Sequence, residues 1–255
     1  MPGKANDKNP ITLILARCDA ISEEQAGLYR GLLSEAEWAR NRRYRFERDR
    51  HRDLIARALL RTELARRLGV QPQQLAFVQG EHGKPELLNT AAVQVPDNLH
   101  FNLSHAGDCV VLAIAQHRVG VDIEYTLRTN DVMAIADRYF FGSEIKELYS
   151  FAKSEQKNRF FDYWTLKEAY MKARGEGISL GLDNFGFSVA NPQAISIYME
   201  PCLEDNPEHW QFLCVTPESG YRLALAINSA TTMQLIVQEC IPLKSQLPLV
   251  WNIAG

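Results

Sequence analysis

Three carboxylates, Asp122, Glu124 and Glu168, are the residues best placed to do chemistry. Asp122 and Glu124 stand two residues apart in V-G-V-D-I-E-Y, and Glu168 follows in W-T-L-K-E-A-Y-M-K. Alternate positions of a strand face the same side of a sheet, so Asp122 and Glu124 are predicted to share a cation while Val121 and Ile123 face the core. A third carboxylate from a helix would complete an oxygen-rich site suited to Mg²⁺, which also binds water and substrate phosphates.

Short strands are expected to carry the first two carboxylates. Apolar and β-branched runs predict strands at 11–18, 110–115, 185–189, 194–199, 210–215 and 221–227. A further strand through V-G-V-D-I-E follows residue 115 after a tight turn at Gln116–Arg118. This close spacing predicts a hairpin or a meander.

Helices are predicted between these strands, and two of them are long. Ser34 with Glu37 makes a capping box that begins one helix, and Ser143 is a candidate cap for another. Apolar periodicity and terminal glycines predict the remaining helices at 131–140, 52–68 and 159–174. The strands 109–115 and 221–227 each follow a long helix late in their half. This pattern predicts two related α+β halves that meet near residue 118.

The composition is that of a globular protein. The chain has 255 residues, of which 46% are hydrophobic and 23% charged. No apolar stretch approaches the roughly 20 residues that span a bilayer, and the first ten residues lack the apolar core of a signal peptide. The five cysteines are scattered and form no C-x-x-C motif, which favours free thiols in a reducing cytoplasm.

A strongly basic segment lies in this otherwise acidic chain. Residues 40–67 contain 11 arginines and four acids, a local charge of +7 in a protein of net charge −3. Such a block suggests local anion binding, with phosphate as the obvious ligand, although a solvated helix face would also explain it. Nucleic acid is the weaker interpretation, because the acidic remainder would repel a polyanion and few aromatic residues are interleaved.

Four motifs in order resemble a known family. G-K-P, F-N-L-S-H, V-G-V-D-I-E and W-T-L-K-E-A-Y-M-K, with the basic segment upstream, are similar to the 4′-phosphopantetheinyl transferases of the surfactin-synthetase type. The resemblance implies transfer of phosphopantetheine from coenzyme A to a serine of an acyl or peptidyl carrier protein, with release of adenosine 3′,5′-bisphosphate. It leaves open whether the carriers serve fatty acid, polyketide or nonribosomal peptide synthesis.

The same resemblance implies an architecture and a cofactor. The fold class is α+β, with two similar subdomains, 1–117 and 118–255, related by pseudo-two-fold symmetry. Each subdomain would pack a small antiparallel sheet on a long helix, and the active site would lie at their junction. The N-terminal half would hold the nucleotide of coenzyme A, and the C-terminal half the metal and the carrier. The protein would be a Mg²⁺-dependent cytoplasmic monomer.

The resemblance assigns the metal and the chemistry to three acids and one lysine. Asp122, Glu124 and Glu168 match the family's metal ligands. Lys172 matches a lysine that contacts the pyrophosphate and protonates the leaving phosphate. The base that accepts the serine proton is either Glu168 or a metal-bound water, because a carboxylate that binds a cation is a poor base. The helical spacing of Trp164, Glu168 and Lys172 places all three on one face.

The resemblance also assigns the anion-binding residues. Those expected to contact coenzyme A are Arg40, Arg43, Arg52, Lys84, Pro85, Ser104, His105 and Lys172. Asp53 departs from the family, since related sequences often carry a small hydroxyl residue there. An acid facing the 3′-phosphate would repel it, so either Asp53 turns away to pair with an arginine or phosphate binding is weaker here.

Carrier recognition is expected on the second half, at residues 131–160. The segment combines the lysines Lys146, Lys153 and Lys157 with apolar positions, and an apolar groove with a basic rim would suit a small acidic helical carrier. The apolar positions are Met133, Ile135, Tyr139, Phe140, Phe141, Leu148 and Phe151. Ordinary core helices would also explain many of them.

Two other functions remain open. One is a Mg²⁺-dependent nucleotide phosphohydrolase, and the other is a non-catalytic module that binds coenzyme A or a carrier.

Overall fold

The computed structural model of this chain describes residues 10–80, 83–128 and 131–249. The N-terminal segment on which the signal-peptide prediction rests, and Glu81 and His82 beside the G-K-P motif, lie outside these ranges. Groups of helices and groups of strands follow one another along the chain, in a mixed α+β arrangement. The α-helices are Glu23–Tyr29 (α1), Glu35–Asn41 (α2), Glu47–Leu68 (α3), Met133–Tyr139 (α4), Gly142–Ser150 (α5) and Lys153–Arg174 (α6).

The strands are short and belong to four sheets. They are Ile11–Arg17 (β1), Phe77–Gln79 (β2), Pro85–Leu87 (β3), His100–Ala106 (β4), Cys109–Ala115 (β5), Val119–Tyr125 (β6), Phe185–Ser188 (β7), Ser196–Met199 (β8), Trp210–Val215 (β9), Tyr221–Asn228 (β10), Leu235–Ile241 (β11) and Ser245–Pro248 (β12). One sheet has the order β12-β11-β1-β5-β4 and another β6-β10-β9. The pairs β2-β3 and β7-β8 form the other two.

The two long helices each cover one of the larger sheets. Apolar side chains of α3 pack with β1, β4 and β5, and those of α6 pack with β10 and the small β7-β8 sheet. A third apolar cluster lies between the two larger sheets and includes Leu13, Val111, Val121 and Leu225. The strand β6, which carries Asp122 and Glu124, therefore lies between the third cluster and α6.

The predicted hairpin between β5 and β6 is wrong. β5 pairs with β1 and β4, whereas β6 pairs with β10, so the chain passes from one sheet to the other at residues 116–118. Seven consecutive residues of β5 are buried, because that strand is covered on both faces. A hairpin partner would satisfy the backbone of β6 equally well. The apolar surface of β10 and α6, which is far away in sequence, decides the pairing instead.

The prediction of purely antiparallel sheets is also wrong for the larger one. β11 lies parallel to β1, with Ile11 opposite Leu235, so that sheet is mixed. A parallel partner needs a long connection, and the distant C-terminal part of the chain supplies it. The sequence predicts no strand after residue 227, yet β11 and β12 complete the five-stranded sheet. The division into 1–117 and 118–255 and the pseudo-two-fold relation remain predictions.

The predicted C-terminal ends of the long helices are confirmed, but α3 begins at Glu47 rather than residue 52 and α6 at Lys153 rather than residue 159. The Ser34–Glu37 capping box is present, and α3 and α6 end at Gly69 and Gly175, whose φ angles are 67° and 79°. Ser143 is not a cap, because the Glu144 carboxylate accepts from the Phe141 backbone N–H and the helix begins earlier, at Gly142. In the described residues, no helix is both long enough and apolar enough to cross a membrane.

Candidate active site

A glycine lets β6 lie directly against α6. A Cβ atom at Gly120 would overlap the backbone oxygen of Ala169 and the backbone nitrogen of Ala173. Only a residue without a side chain permits this approach. Two residues further along β6, the Asp122 carboxylate therefore meets Lys172 of α6, at 2.6 Å between Oδ1 and Nζ.

The two carboxylate oxygens of Asp122 have different surroundings. Asp122 is 4% exposed. Its Oδ1 accepts from Lys172 Nζ and, at 2.9 Å, from the Ser104 hydroxyl, whereas Oδ2 is buried without a partner among the described residues. A buried acceptor without a donor is costly, so it marks a position where a ligand or an ion would be stabilising.

Glu124 is oriented by a tryptophan. Trp164 Nε1 donates to Glu124 Oε1 at 2.8 Å, and Arg128 forms an ion pair with the same oxygen at 3.3 Å. Burial and then the Asp122 charge raise the pKa of Glu124, while Arg128 and Trp164 oppose the rise. Trp164, which the sequence grouped with Glu168 and Lys172 only by helical spacing, thus contacts a predicted metal ligand.

Glu168 faces the same group of charges. It lines a cavity of about 200 Å³ together with Lys84, Asn102 and Lys172. Burial, followed by the Asp122 charge, raises the pKa of Glu168 to about 7, and Glu124 adds to the rise, while Lys172 opposes it. A carboxylate with this pKa is partly ionised near neutrality and can accept a proton there.

The three carboxylates suit a hard cation chemically. Asp122 raises the pKa of both Glu124 and Glu168, so the acids lie close enough to repel one another, and Asp122 Oδ2 lacks a donor. Within the described ranges, however, no group of three His, Cys, Asp or Glu side chains stands in position to hold a metal. The ammonium of Lys172 lies against Asp122 instead and supplies the positive charge.

Lys172 is held by these acids. Burial on its own lowers the pKa of Lys172, but Asp122, Glu168 and Glu124 outweigh it and keep the pKa above the ordinary value. Its side chain is 29% exposed and lines the same cavity as Glu168. A cation beside a cavity is in position to bind an incoming anion.

The G-K-P motif forms the opposite wall of this cavity. Lys84 Nζ donates to the backbone oxygen of Lys172 at 3.0 Å, and burial lowers the pKa of Lys84. Pro85 and Gly83 line the cavity of Glu168 and also a second cavity of about 340 Å³. Arg40, Arg57 and the buried Glu37 and Arg61 line the second cavity. The two cavities therefore meet at the G-K-P segment.

The predicted phosphate-binding arginines have three different placements. Arg40 lines the second cavity, whereas Arg43 is exposed at the end of α2 and lines neither cavity. Arg52 donates to the backbone oxygen of Gly107 at 3.1 Å and to Asp49 at 2.7 Å. Its Nε is buried without a partner in the part of the chain described.

His105 lies beside Arg52 on the side of Lys172. His105 lies at the end of β4 and its side chain is exposed. Partial desolvation of the imidazole and then the Arg52 charge lower the pKa of His105, and Lys172 adds to this effect. The imidazole is therefore neutral at pH 7 and retains one N–H donor. The positive charges at this end of the site come from Arg52 and Lys172.

Asp53 is buried and hydrogen-bonded to Asn41. One carboxylate oxygen accepts from Asn41 Nδ2 at 2.8 Å, and the other lies 3.8 Å from Arg57 Nε, which has no hydrogen-bond partner among the described residues. Burial raises the pKa of Asp53, while Asn41, then Arg40 and His105, oppose the rise. Asp53 is therefore within electrostatic reach of predicted phosphate-binding residues, and both alternatives for its role stay predictions.

Two residues of the motifs have contacts that the sequence reading did not foresee. Lys167 is fully buried in an ion pair with Glu144 at 2.8 Å, which joins α6 to α5. Asn102 of F-N-L-S-H accepts from the Val121 backbone N–H at 2.9 Å. Asn102 stands two residues before Ser104 in a strand, so the two side chains share a face. This spacing could have predicted that Asn102 lies at the site.

The region predicted to bind a carrier is divided between core and surface. Phe140 and Leu148 belong to the apolar core under α6, so they are unavailable to a partner. Tyr149 is 55% exposed, and the side chains of Lys146 and Lys153 are exposed nearby in sequence. The predicted apolar groove therefore loses these two core members.

Comparison with known proteins assigns both parts of the chain to the same kind of enzyme. Residues 22–117 match a family model described as the N-terminal part of 4′-phosphopantetheinyl transferase, and residues 118–226 match the 4′-phosphopantetheinyl transferase superfamily. The 4′-phosphopantetheinyl transferase HetI of Nostoc is 33% identical over 196 residues, which cover 76% of this chain and 78% of HetI.

Two relatives from other bacteria match over a similar length. The transferase Sfp of Bacillus subtilis is 29% identical over 205 residues, 80% of this chain and 86% of Sfp. The transferase gsp of Aneurinibacillus migulanus is 34% identical over 203 residues, 77% of this chain and 79% of that protein. The two family models together span residues 22–226, a range that includes all four motifs.

Proposed function

Because this chain belongs to the 4′-phosphopantetheinyl transferase superfamily, and to its surfactin-synthetase (Sfp) type, we propose that it transfers the phosphopantetheine arm of coenzyme A to a serine of an apo carrier protein. Adenosine 3′,5′-bisphosphate is the second product. The observation that carries the proposal is the cavity where Lys84, Glu168 and Lys172 meet. A nucleotide phosphohydrolase would need no dedicated site for a 3′-phosphate, and the relatives do not favour one.

The transfer exchanges one phosphorus–oxygen bond for another. The carrier serine oxygen bonds to the phosphorus that bears pantetheine, and the anhydride bond to the adenosine half breaks with its electron pair on the departing phosphate. Glu168, or a water beside it, accepts the serine proton. Lys172, which lines the same cavity as Glu168, donates to the departing phosphate.

Asp122, Glu124 and Glu168 would hold Mg²⁺. When bound, this ion would neutralise the pyrophosphate, whose negative charge grows as the anhydride breaks. The mutual repulsion of the three acids and the unpartnered Asp122 Oδ2 support this assignment.

The nucleotide of coenzyme A would extend from this cavity toward the second one. Gly83 and Pro85 line both cavities, Lys84 lines the first, and Arg40 lines the second with Arg57. Arg52 and His105 would bind phosphate oxygens from the end of β4, with Arg43 as a more distant positive charge. The active site would then lie at the junction of two pseudo-symmetric halves, 1–117 and 118–255.

The carrier would dock on the surface around α5, beside Tyr149, Lys146 and Lys153. We also propose a cytoplasmic monomer. All five cysteines are free thiols, and burial raises the pKa of Cys18, Cys109, Cys214 and Cys240 to about 12, so these four are protonated at neutral pH. Free thiols are usual in a reducing compartment.

One assay tests the function and the metal together. The protein is incubated with coenzyme A, Mg²⁺ and an apo carrier, and the carrier is weighed by mass spectrometry. We expect the mass of one phosphopantetheine to be added, no addition to a carrier whose serine is replaced by alanine, and none in the presence of a chelator. An unmodified carrier, with coenzyme A either cleaved or intact, would overturn the transferase proposal. Full transfer in the presence of the chelator would overturn the proposal that the reaction needs a metal.

A further inference from the structure

The two larger sheets meet along the edges of β4 and β6. β4 is the last strand of the five-stranded sheet, and β6 is the edge strand of the three-stranded sheet. In the residues that the structure describes, no strand pairing joins them. β6 carries the predicted metal ligands, so its placement against β4 decides where those ligands lie.

Two side chains of β4 satisfy the unpaired edge of β6. Asn102 Oδ1 accepts from the Val121 N–H at 2.9 Å, and Ser104 Oγ accepts from the Ile123 N–H at 3.3 Å. Asn102 and Ser104 alternate on β4 just as Val121 and Ile123 alternate on β6, so the two bonds are in register and stand on either side of Asp122. We call these two hydrogen bonds the seam.

The seam is buried. Asn102 and Ser104 are 5% and 7% exposed. A buried backbone N–H without an acceptor is strongly unfavourable, and each seam bond provides the acceptor that a neighbouring strand would otherwise supply. Side chains rather than backbone groups make the connection, and they leave room between the sheets for the Asp122 carboxylate.

The bonds of Ser104 use the full capacity of its hydroxyl. A serine hydroxyl has one proton to donate and two lone pairs to accept with. The proton goes to Asp122 Oδ1 at 2.9 Å, and the lone pairs accept from Ile123 N and from Lys172 Nζ at 3.0 Å. No donor remains for a substrate phosphate.

We propose that Asn102 and Ser104 are positioning residues whose seam sets β6 against β4 and places Asp122 beside Lys172. Ser104 acts through Asp122 and Lys172 and does not bind the 3′-phosphate of coenzyme A. This inference rests on the proposed function for its consequence in catalysis, but the seam itself can be tested without any substrate. The arginines and His105 bind the 3′-phosphate instead.

The first test compares coenzyme A with 3′-dephospho-coenzyme A as the donor. Ser104→Ala is expected to lower kcat/KM about tenfold with both donors, as the loss of a buried hydrogen bond in the site would. The preference for coenzyme A over its dephospho form should stay within about twofold of the wild-type value. Arg40→Ala is the matched control and should reduce that preference. A preference that falls in Ser104→Ala as it does in Arg40→Ala would overturn the proposal.

The second test measures amide hydrogen exchange in the protein alone. Ser104→Ala and Asn102→Ala should speed exchange in a peptide spanning 119–125 by about tenfold, because Ile123 N–H or Val121 N–H loses its acceptor. Ser154→Ala, on the exposed first turn of α6, is the control and should leave that peptide unchanged. Unaltered protection in both seam variants would overturn the proposal. If the wild-type protein transferred nothing, the proposed function would fail while the exchange data still decided the seam.

Discussion

Two lysine–carboxylate pairs, five residues apart on α6, show how differently one helix uses the same chemistry. Lys167 and Glu144 are both fully buried. Lys167 also donates to the backbone oxygens of Leu182 and Phe185, and Glu144 also accepts from the backbone N–H groups of Phe141 and Phe187. All three protons of this ammonium have acceptors, so the pair is closed to any ligand.

The Lys172–Asp122 pair is open by comparison. Lys172 is partly exposed, Asp122 Oδ2 has no partner in the described part of the chain, and Glu168 lies beside the same cavity. The first pair joins α5, α6 and β7, whereas the second leaves binding capacity unused. The burial and completeness of a pair, rather than its residue types, distinguish a structural contact from a candidate catalytic one.

The largest expected effect comes from removing the open carboxylate. Asp122→Ala should lower transfer at saturating Mg²⁺ by roughly a thousandfold or more, because a ligand of the charge-neutralising ion is lost. The free energy of unfolding should change by less than about 1 kcal/mol, since Asp122 also repels Glu124 and Glu168. Carrier mass spectrometry and urea denaturation measure the two quantities. Retained transfer would mean that Asp122 is not needed for the reaction. The Lys172–Asp122 pair would then be a structural contact like the Lys167–Glu144 pair.

Breaking the closed pair should have the opposite result. Lys167→Met is expected to lower the free energy of unfolding by about 3–5 kcal/mol, because Glu144 is left as an unpaired buried charge. Transfer per folded molecule should stay within about twofold of the wild-type value. Adding Glu144→Gln should restore part of the stability, since the charge is gone. A Lys167→Met protein of normal stability but low activity would place Lys167 in the catalytic group.

A smaller effect should follow from removing the hydrogen bond that orients Glu124 beside the Lys172–Asp122 pair. Trp164→Phe keeps the ring stacked near Phe140 and Phe160 but removes the donor to Glu124. We expect kcat/KM to fall about tenfold, as the loss of one orienting hydrogen bond to a charged group implies.

The control for that variant is a second tryptophan, Trp210, in the apolar cluster against which Trp164 packs. Trp210→Phe removes an Nε1–H bond to Asp205, which also accepts from Tyr170 and Arg174. This variant should lose stability by about 1 kcal/mol and keep its activity. Equal losses of activity in the two variants would mean that Trp164 acts only by packing.

The smallest effect is expected for a positive charge that belongs to neither pair. Arg43→Ala should change the KM for coenzyme A by about twofold or less, since an exposed arginine contributes little in screened solvent. Arg40→Ala, which changes a cavity-lining arginine three residues earlier, in the last turn of α2, should raise that KM by about tenfold. Steady-state kinetics at two ionic strengths would check both values. A larger effect for Arg43 would place the phosphate outside the second cavity.

Much of the site was predictable because its spacings are local. The alternation of Asp122 with Val121 and Ile123 assigned faces on β6, and the four-residue spacing of Trp164, Glu168 and Lys172 put them on one face of α6. Terminal glycines ended both long helices where predicted. Side-chain direction within one element follows from its backbone period, so no tertiary information is needed for these features.

What the sequence by itself determined was therefore the set of candidate site residues, their faces and the family that they indicate. The tertiary structure alone decided that β5 and β6 part into different sheets, that β11 completes the first sheet, and that Asp53 is buried against Asn41. It also decided that the Ser104 hydroxyl is fully used. Each of these outcomes depends on which distant part of the chain buries a strand or provides a hydrogen-bond partner for a polar atom. Contacts between distant parts of the chain leave no periodic pattern in the sequence, so they cannot be predicted from it.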